Sequence, residues 1–261
     1  MTLIIGIKCS DGIVLGADSA ATIQAANNLP TITQPVKKID TIYNYIAIGF
    51  SGAIAINQLL VPEIKNAWDK DLFKDLEKHK IQLKIQEICR LVLQEQWTTA
   101  KNAAQCYGQN AINTMIFQML VGIWSKGSFH LFNIDPKCSV EEVTENLPFA
   151  SIGCGQSIAD PFLGFIRRIF WDNSLPSVIE GIFATLWALS HSISITPGGI
   201  ADPVNIYILS KNKNEPIIKK LEDFELQETQ EAISSAEKSL KHYKEFSLSE
   251  NSLKNIEIPK P

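Results

Sequence analysis

Residues 2–19 read TLIIGIKCSDGIVLGADS, two short β-prone runs (3–9 and 13–17) around Ser-Asp-Gly. Asp-Gly between such runs is a strong hairpin signal. The loop length then sets which side chains share a face. A two-residue loop at Asp11-Gly12 pairs Ser10 with Ile13 and sets Asp18 on the opposite face from Thr2. A three-residue loop, Ser10-Asp11-Gly12, pairs Cys9 with Ile13, places Asp18 opposite Ile4, and puts it on the face of Thr2. Gly12 suits the left-handed position that ends such a loop, which favours the second register.

Beyond the hairpin, residues 20–35 are rich in Ala, Asn, Pro and Thr and read as a loop. "KKIDTI" and "YNYIAIGFSG" read as two strands with a turn at Tyr43-Asn44. From Ala53 to about Ala104 apolar residues recur at helical spacing, giving two helices with a break near 73–80. "NTMIFQMLVGIWS" and "SFHLFNID" read as strands joined at Lys126-Gly127, and "PFASIGCG" as a strand ending in glycines. Residues 156–171 and 177–193 predict a second helix pair, and "DPVNIYILSK" a last core strand. Strand blocks interrupted by paired helices predict a layered α/β sandwich. No linker or internal repeat divides the chain. The expected division is a domain at 1–215 and a C-terminal helical extension and tail at 216–261.

The chain has 261 residues, 45% hydrophobic and 20% charged, an ordinary globular composition. The net charge of −4 has no basic run within it, so bulk charge gives no reason to expect nucleic acid as a partner. No apolar run approaches the roughly 20 residues that span a bilayer, and no membrane partner is expected. The start lacks the pattern of a signal peptide. The five cysteines, Cys9, Cys89, Cys106, Cys138 and Cys154, include no close pair, so neither a disulfide framework nor a zinc site is indicated. Together these give the expectation of a reduced, cytoplasmic protein. The four histidines are far apart in sequence, and neither metal nor cofactor is expected.

Thr2 carries the chemistry of interest. Removal of Met1 would leave one residue bearing both a hydroxyl nucleophile and a free α-amine. A threonine hydroxyl is a poor nucleophile alone, and an adjacent amine can take its proton. The ordinary pKa of an α-amine, about 7.7–8.0, leaves part of it neutral near pH 7. Such a nucleophile needs a cation nearby, a carboxylate to hold the cation, and a backbone donor for the oxyanion. The chain offers Asp18 after an apolar strand, Lys37 and Lys38 before the next, and Gly52 at the end of "IGFSG".

These stretches together, TLIIGIKCSDGIVLGADSAAT, VKKI and YIAIGFSG, resemble the start of proteasome β-type subunits and their bacterial proteasome-like relatives. The segment from Asp18 to Lys38 is longer than in typical members. "NTMIFQMLVGIW", "SIGCG" and "PVNIYIL" extend the resemblance over about residues 2–210. The resemblance implies an α+β fold, the four-layer αββα sandwich of N-terminal-nucleophile hydrolases. By matched position it implies Thr2 as nucleophile, its own amine as base, Asp18 and Lys38 as supporting ion pair, and the Gly52 N–H as oxyanion donor. Lys38 is preferred to Lys37 because it directly precedes the apolar residue. Phe50 and Ile54 fall where the family shapes its substrate pocket, and Cys154 stands where the family has a glycine-flanked serine.

One region departs from that pattern. The family's second supporting Asp–Ser pair precedes a "GG", where this chain reads SISITPGG. Ser194 takes the place of the aspartate and Pro197 that of the serine, and proline has no hydroxyl. Thr196 or Asp202 compensates only if the loop is shifted. The expected activity is therefore a threonine peptidase acting on peptides or unfolded protein. The alternatives are an amidase for small amides and an inactive structural or regulatory subunit on the same fold. The resemblance also implies self-assembly into a ring-like homo-oligomer and leaves room for an ATP-dependent unfoldase as partner.

Overall fold

In the computed structural model, residues 2–24, 30–108, 115–171, 174–196 and 198–247 are described. In chain order the elements are β1 (Leu3–Lys8), β2 (Gly12–Ala17), β3 (Ala20–Gln24), β4 (Pro30–Pro35), β5 (Ile39–Ile42), β6 (Ile46–Gly52), α1 (Ile54–Asp69), α2 (Lys78–Tyr107), β7 (Phe117–Ser125), β8 (Ser128–Ile134), β9 (Val140–Glu142), β10 (Phe149–Gly153), α3 (Gln156–Phe170), α4 (Val178–Ile195), β11 (Asn205–Asn212), β12 (Glu215–Lys220) and α5 (Asp223–Ser247). One antiparallel sheet has the order β10-β1-β2-β11-β12 and another the order β5-β6-β7-β8-β9.

The two sheets meet face to face. Ile4, Ile13, Leu15 and Leu209 of the first pack against Ile39, Ala47, Leu120 and Leu131 of the second. The outer face of the second sheet is covered by α1 and α2, with Ile48, Val121 and Phe132 against Leu60, Ile64, Ile81 and Ile85. The outer face of the first is covered by α3 and α4. A Cβ on Gly16 would lie 2.2 Å from Thr185 Cγ2, and one on Gly181 would lie 2.7 Å from Cys9 Sγ. The layers are therefore α, β, β, α. Strands β1 and β2 are apolar at nearly every position because both of their faces are covered.

Helix α4 spans 18 residues at a mean hydropathy of 1.4, long and apolar enough on those counts to cross a membrane. Half of it is buried inside the protein, against β1 and β2, so the fold already accounts for its apolar character. It starts at a capping box, in which Ser177 Oγ accepts from Glu180 N and the Glu180 carboxylate accepts from Ser177 N.

The first hairpin adopts neither register considered above. Its pairs run from Ile4–Ala17 to Lys8–Ile13. Cys9 N–H donates to Gly12 O at 2.9 Å, which leaves Ser10-Asp11 as the two-residue loop. The segment entering α4 holds this turn. Val178 N–H donates to Asp11 Oδ1 at 2.8 Å, and Ser10 N–H donates to Pro176 O at 2.9 Å. Gly12 is needed for space rather than for a left-handed φ, because a Cβ there would lie 2.7 Å from both Val178 Cγ2 and Leu209 O. Asp18 consequently stands opposite Leu3.

The described parts of residues 20–35 form an antiparallel ribbon, β3 with β4, rather than a loop. Strands β9 and β12 were not legible in the sequence. Strand β12 returns on β11 through Lys213-Asn214, so the expected boundary at 215 cuts a hairpin. The first compact unit ends at Leu221 and the second runs over Glu222–Pro261. Its helix α5 carries Asp223 and Glu225 in the first turn and Lys244 in the last, charges that complement the helix dipole.

Candidate active site

Strand β1 leads Thr2 to one end of the cleft between the sheets, and the carboxylate of Asp18 organises that end. Asp18 is 0% exposed. Its Oδ1 accepts from Leu3 N–H at 2.8 Å and from Lys38 Nζ at 2.7 Å. Its Oδ2 accepts from Ala20 N–H at 3.1 Å and from Ala201 N–H at 3.3 Å. Four donors on a buried carboxylate offset the cost of removing it from water. They also tie the start of β1, the start of β3 and the segment before β11 to one point.

The Lys38 side chain is only 5% exposed. Burial pushes its pKa down from the ordinary lysine value, opposed by the charge and hydrogen bond of Asp18. Lys37, by contrast, is exposed and reaches Asp40 at 3.7 Å.

Cys154 stands on another side of Thr2, with its Sγ 3.4 Å from Thr2 N and 3.5 Å from Thr2 O. Thr2 O also accepts from Gly155 N–H at 3.4 Å. Gly153 sits between them at φ +94°, and a Cβ there would come within 2.1 Å of Thr2 O. Gln118 of β7 reaches across the cleft, its Oε1 accepting from Gly153 N–H at 3.0 Å. Next along β10, Ser151 Oγ donates to Asp160 Oδ1 at 2.5 Å, and Gln156 Nε2 donates to Asp160 Oδ2 at 3.1 Å. In the intact chain Thr2 N is a peptide nitrogen, and loss of Met1 makes that atom an α-amine. Met1 itself lies outside the described residues.

Thr2, Lys38, Phe50, Gly52, Ile54 and Asn57 line a cavity of about 290 Å³. Phe50 is buried, its ring stacked on Phe117 at 5.9 Å, while Ile54 stands exposed on the rim. Ala53 N–H donates to Ile116 O. Hydrogen-bonded pairs alternate along an antiparallel ladder, so the Gly52 N–H points away from β7. It leaves β6 on the same side as the Phe50 N–H, which donates to Lys38 O at 3.1 Å. Strand β5 starts only at Ile39, so this donor emerges on the Lys38 side, beyond the end of β5.

The region after α4 contributes differently from the expectation. Ser194 is exposed, and its Oγ donates to His191 O at 2.8 Å, within its own helix. Thr196 Oγ1 donates to Ser192 O at 2.7 Å. Neither lines the cavity, because helix α4 continues to Ile195 and offers both hydroxyls nearer backbone acceptors. Asp202 is exposed, and Pro197 lies outside the described residues. From this segment it is the Ala201 amide that reaches the site.

Gln118 and Asn57 were missed by sequence reasoning. Gln118 sits in an otherwise largely apolar strand, and a polar residue there was the available signal, whereas α1 carries several other polar residues and gives no such signal for Asn57. Among the described residues no group of three or more His, Cys, Asp or Glu is placed to hold a metal ion. The arrangement offers a hydroxyl, a buried cation held by a carboxylate, and an unladdered backbone N–H, the parts that acyl transfer requires.

Comparison with known proteins agrees with this fold. Residues 2–201 match the proteasome subunit family. The proteasome subunit beta of Picrophilus torridus is 26% identical over 229 residues, 84% of this chain and 95% of that protein. An Anbu mutant from Hyphomicrobium sp. strain MC1 superposes with a TM-score of 0.67 at 16% identity, over 100% of both chains. Anbu from Pseudomonas aeruginosa, solved as a helical assembly, gives 0.66 at 15% identity over 99% of this chain and 98% of that one.

Proposed function

The chain belongs to the proteasome subunit family, and on that premise we propose that it is a threonine peptidase that cuts peptide bonds through Thr2 once Met1 is removed. The observation that carries this reading is the buried Asp18–Lys38 pair beside Thr2, with the same carboxylate holding the amide of Leu3. A lysine this well sequestered has little purpose as a surface charge. Beside a freed N-terminus it favours the anionic hydroxyl and the neutral amine.

In the proposed reaction the Thr2 α-amine takes the hydroxyl proton as Oγ attacks the peptide carbonyl. The Gly52 N–H stabilises the oxyanion, and the protonated amine passes its proton to the leaving amine. Water then hydrolyses the ester by the reverse sequence, with the amine again as base. Cys154 is the polarizable contact to the amine, in place of a hydroxyl, and Phe50 and Ile54 shape the substrate side.

A second reading, a non-catalytic subunit on the same fold, is favoured by one observation. The hydroxyls of Ser194 and Thr196 are turned to helix carbonyls, so the amine side of Thr2 has fewer polar supports. The intact mass of the purified protein decides first. Loss of one methionine, followed by covalent attachment of a threonine-directed electrophile at Thr2, is the expected result. A retained Met1, or a freed Thr2 that stays unlabelled and cleaves no peptide, brings the second reading forward.

Self-assembly is part of the proposal, supported by the helical assembly of the Pseudomonas aeruginosa neighbour. Peptides or unfolded protein are the proposed substrates, in the cytoplasm. Folded substrates would require an ATP-driven unfoldase if the assembly encloses its sites.

A further inference from the structure

Cys154 and the nitrogen of Thr2 form a close pair that the proposed chemistry uses only as a contact. Strands β1 and β10 are antiparallel, with Leu3 opposite Gly153. One step further along that ladder Thr2 stands opposite Cys154, and residues facing each other at such a step are near neighbours. The thiol Sγ is 3.4 Å from Thr2 N and 3.5 Å from Thr2 O. The pairing is held from both sides. Leu3 N–H donates to Asp18 Oδ1 at 2.8 Å, and Gly155 N–H donates to Thr2 O at 3.4 Å. Gly155 also packs on Leu3, where a Cβ would come within 2.9 Å of Leu3 Cβ. Sulfur and nitrogen are therefore held in contact.

The surroundings of this thiol set it apart from the other four. Cys9, Cys89 and Cys138 are buried, whereas Cys154 is exposed and lies within range of the Lys38 charge. Burial pushes the thiols of Cys9 and Cys89 up, the latter to about 12, away from the reactive thiolate. Cys106, also exposed, lies in the last turn of α2. Exposure beside a cation is the setting in which a thiol is oxidised. The sulfenic acid so formed condenses either with a second thiol or with a nitrogen. Cys154 is in no disulfide, and a nitrogen is already in contact with its sulfur. A serine at this position has no such chemistry.

We propose that Cys154 and the Thr2 nitrogen are a redox modification site, where peroxide drives formation of a covalent sulfur–nitrogen link, a sulfenamide, that blocks the nucleophile until thiols reopen it. This rests on the reading that Met1 is removed, since an amine is a far better nucleophile than a peptide nitrogen. Hydrogen peroxide transfers one oxygen to Cys154 and leaves as water, so the thiol becomes a sulfenic acid and the peroxide is reduced. The lone pair of the Thr2 α-amine then attacks that sulfur. The S–O bond breaks, its oxygen leaves as water with a proton from the amine, and the S–N bond forms. A reducing thiol cleaves the S–N bond, returns a proton to the amine and stays on Cys154 as a mixed disulfide. A second thiol frees Cys154 and carries the first away as a disulfide. While the link stands, the Thr2 hydroxyl lacks its base.

The experiment uses the full chain produced behind a cleavable leader that ends directly before Thr2, so that the amine is free whether or not cells remove Met1. Hydrogen peroxide is expected to lower the intact mass by two hydrogen atoms. After digestion the N-terminal peptide should be found joined to the peptide that carries Cys154, and dithiothreitol should separate them. Thr2→Ala keeps the nitrogen and loses the hydroxyl, so it should form the same link. Cys106→Ser should form it too, which excludes a disulfide to Cys106 as the source of the lost hydrogens, and Cys154→Ser should not. Labelling of Thr2 by the electrophile should disappear with peroxide and return with dithiothreitol. A Cys154 that stays a thiol, or one that passes to sulfinic acid without the link, overturns the inference, as does a link that survives Cys154→Ser. A reversible link in a chain that neither labels at Thr2 nor cleaves peptides leaves the inference standing and removes the peptidase reading instead.

Discussion

At the scale of single residues, the site depends on a carboxylate and an ammonium that exclude water together. Replacing Lys38 by methionine keeps most of the side chain's volume and removes its charge. Asp18 would keep three backbone donors but lose its counter-charge at 0% exposure. Breaking a buried pair on one side costs about 3–5 kcal/mol. Lys38→Met is therefore expected to lose peptide cleavage and to melt at a lower temperature, with native circular dichroism at 25 °C. Unchanged turnover would remove Lys38 from the mechanism. Thr2, Asp18, Lys38 and Gly52 were picked out by the resemblance, and each sits at an end of an apolar run, where turn chemistry places the ends of strands. Asn57 and Gln118 were not. Their partners, Asp40 and Gly153, lie 17 and 35 residues away in sequence, and no local pattern encodes such pairings.

Elements show the same division between local and long-range information. The four helices of the sandwich follow from apolar spacing, and the Lys126-Gly127 turn from its own residues, both of which take positive φ. The first hairpin was misread because its turn is decided from outside. Local chemistry favoured Gly12 as a loop residue, while Asp11 is held by Val178 N–H and Gly12 is packed under Leu209 and Val178. The one-residue difference sets Asp18 opposite Leu3, within reach of the Leu3 amide. Helix α4 therefore supports the site through the far end of the hairpin. Its capping box is the local contribution to that support. Ser177→Ala should cost about 0.5–2 kcal/mol of stability by denaturant titration, and the Ser177→Ala/Glu180→Ala double variant should lose little more in total than the larger of the two single losses. Additive losses would mean that the two side chains act separately.

Across the whole molecule, the two sheets are joined by polar contacts at both ends of the cleft. Gln118 and Gly153 tie them near Thr2. At the other end Lys8 of β1 reaches Glu142 of β9 at 3.4 Å, Lys78 of α2 reaches the same carboxylate at 3.1 Å, and His130 Nδ1 stands 3.8 Å from it. Burial lowers the pKa of His130 below the ordinary 6.5, against the pull of Glu142 and with the help of Lys8 and Lys78. Burial alone would raise that of Glu142, but the bond and charge of Lys78 and the charge of Lys8 outweigh it and bring it below 4.5. The two groups act in different pH windows. Above pH 6.5 His130 is neutral in both folded and unfolded chains and contributes no pH dependence. As the pH falls below 6.5 the unfolded chain takes up the histidine proton first, so stability declines until the lower folded value is reached. Glu142 adds stability above pH 4.5 that is lost only as the pH falls through its depressed folded value. The melting temperature is thus expected to fall between pH 6.5 and 5, before the loss at Glu142 begins. His130→Phe, which keeps a ring against Phe132 and removes the titrating nitrogens, should flatten that first segment and leave the acid limb in place. If the first segment persists in His130→Phe, another group sets it, and the far end of the cleft is not where acid first loosens the two sheets.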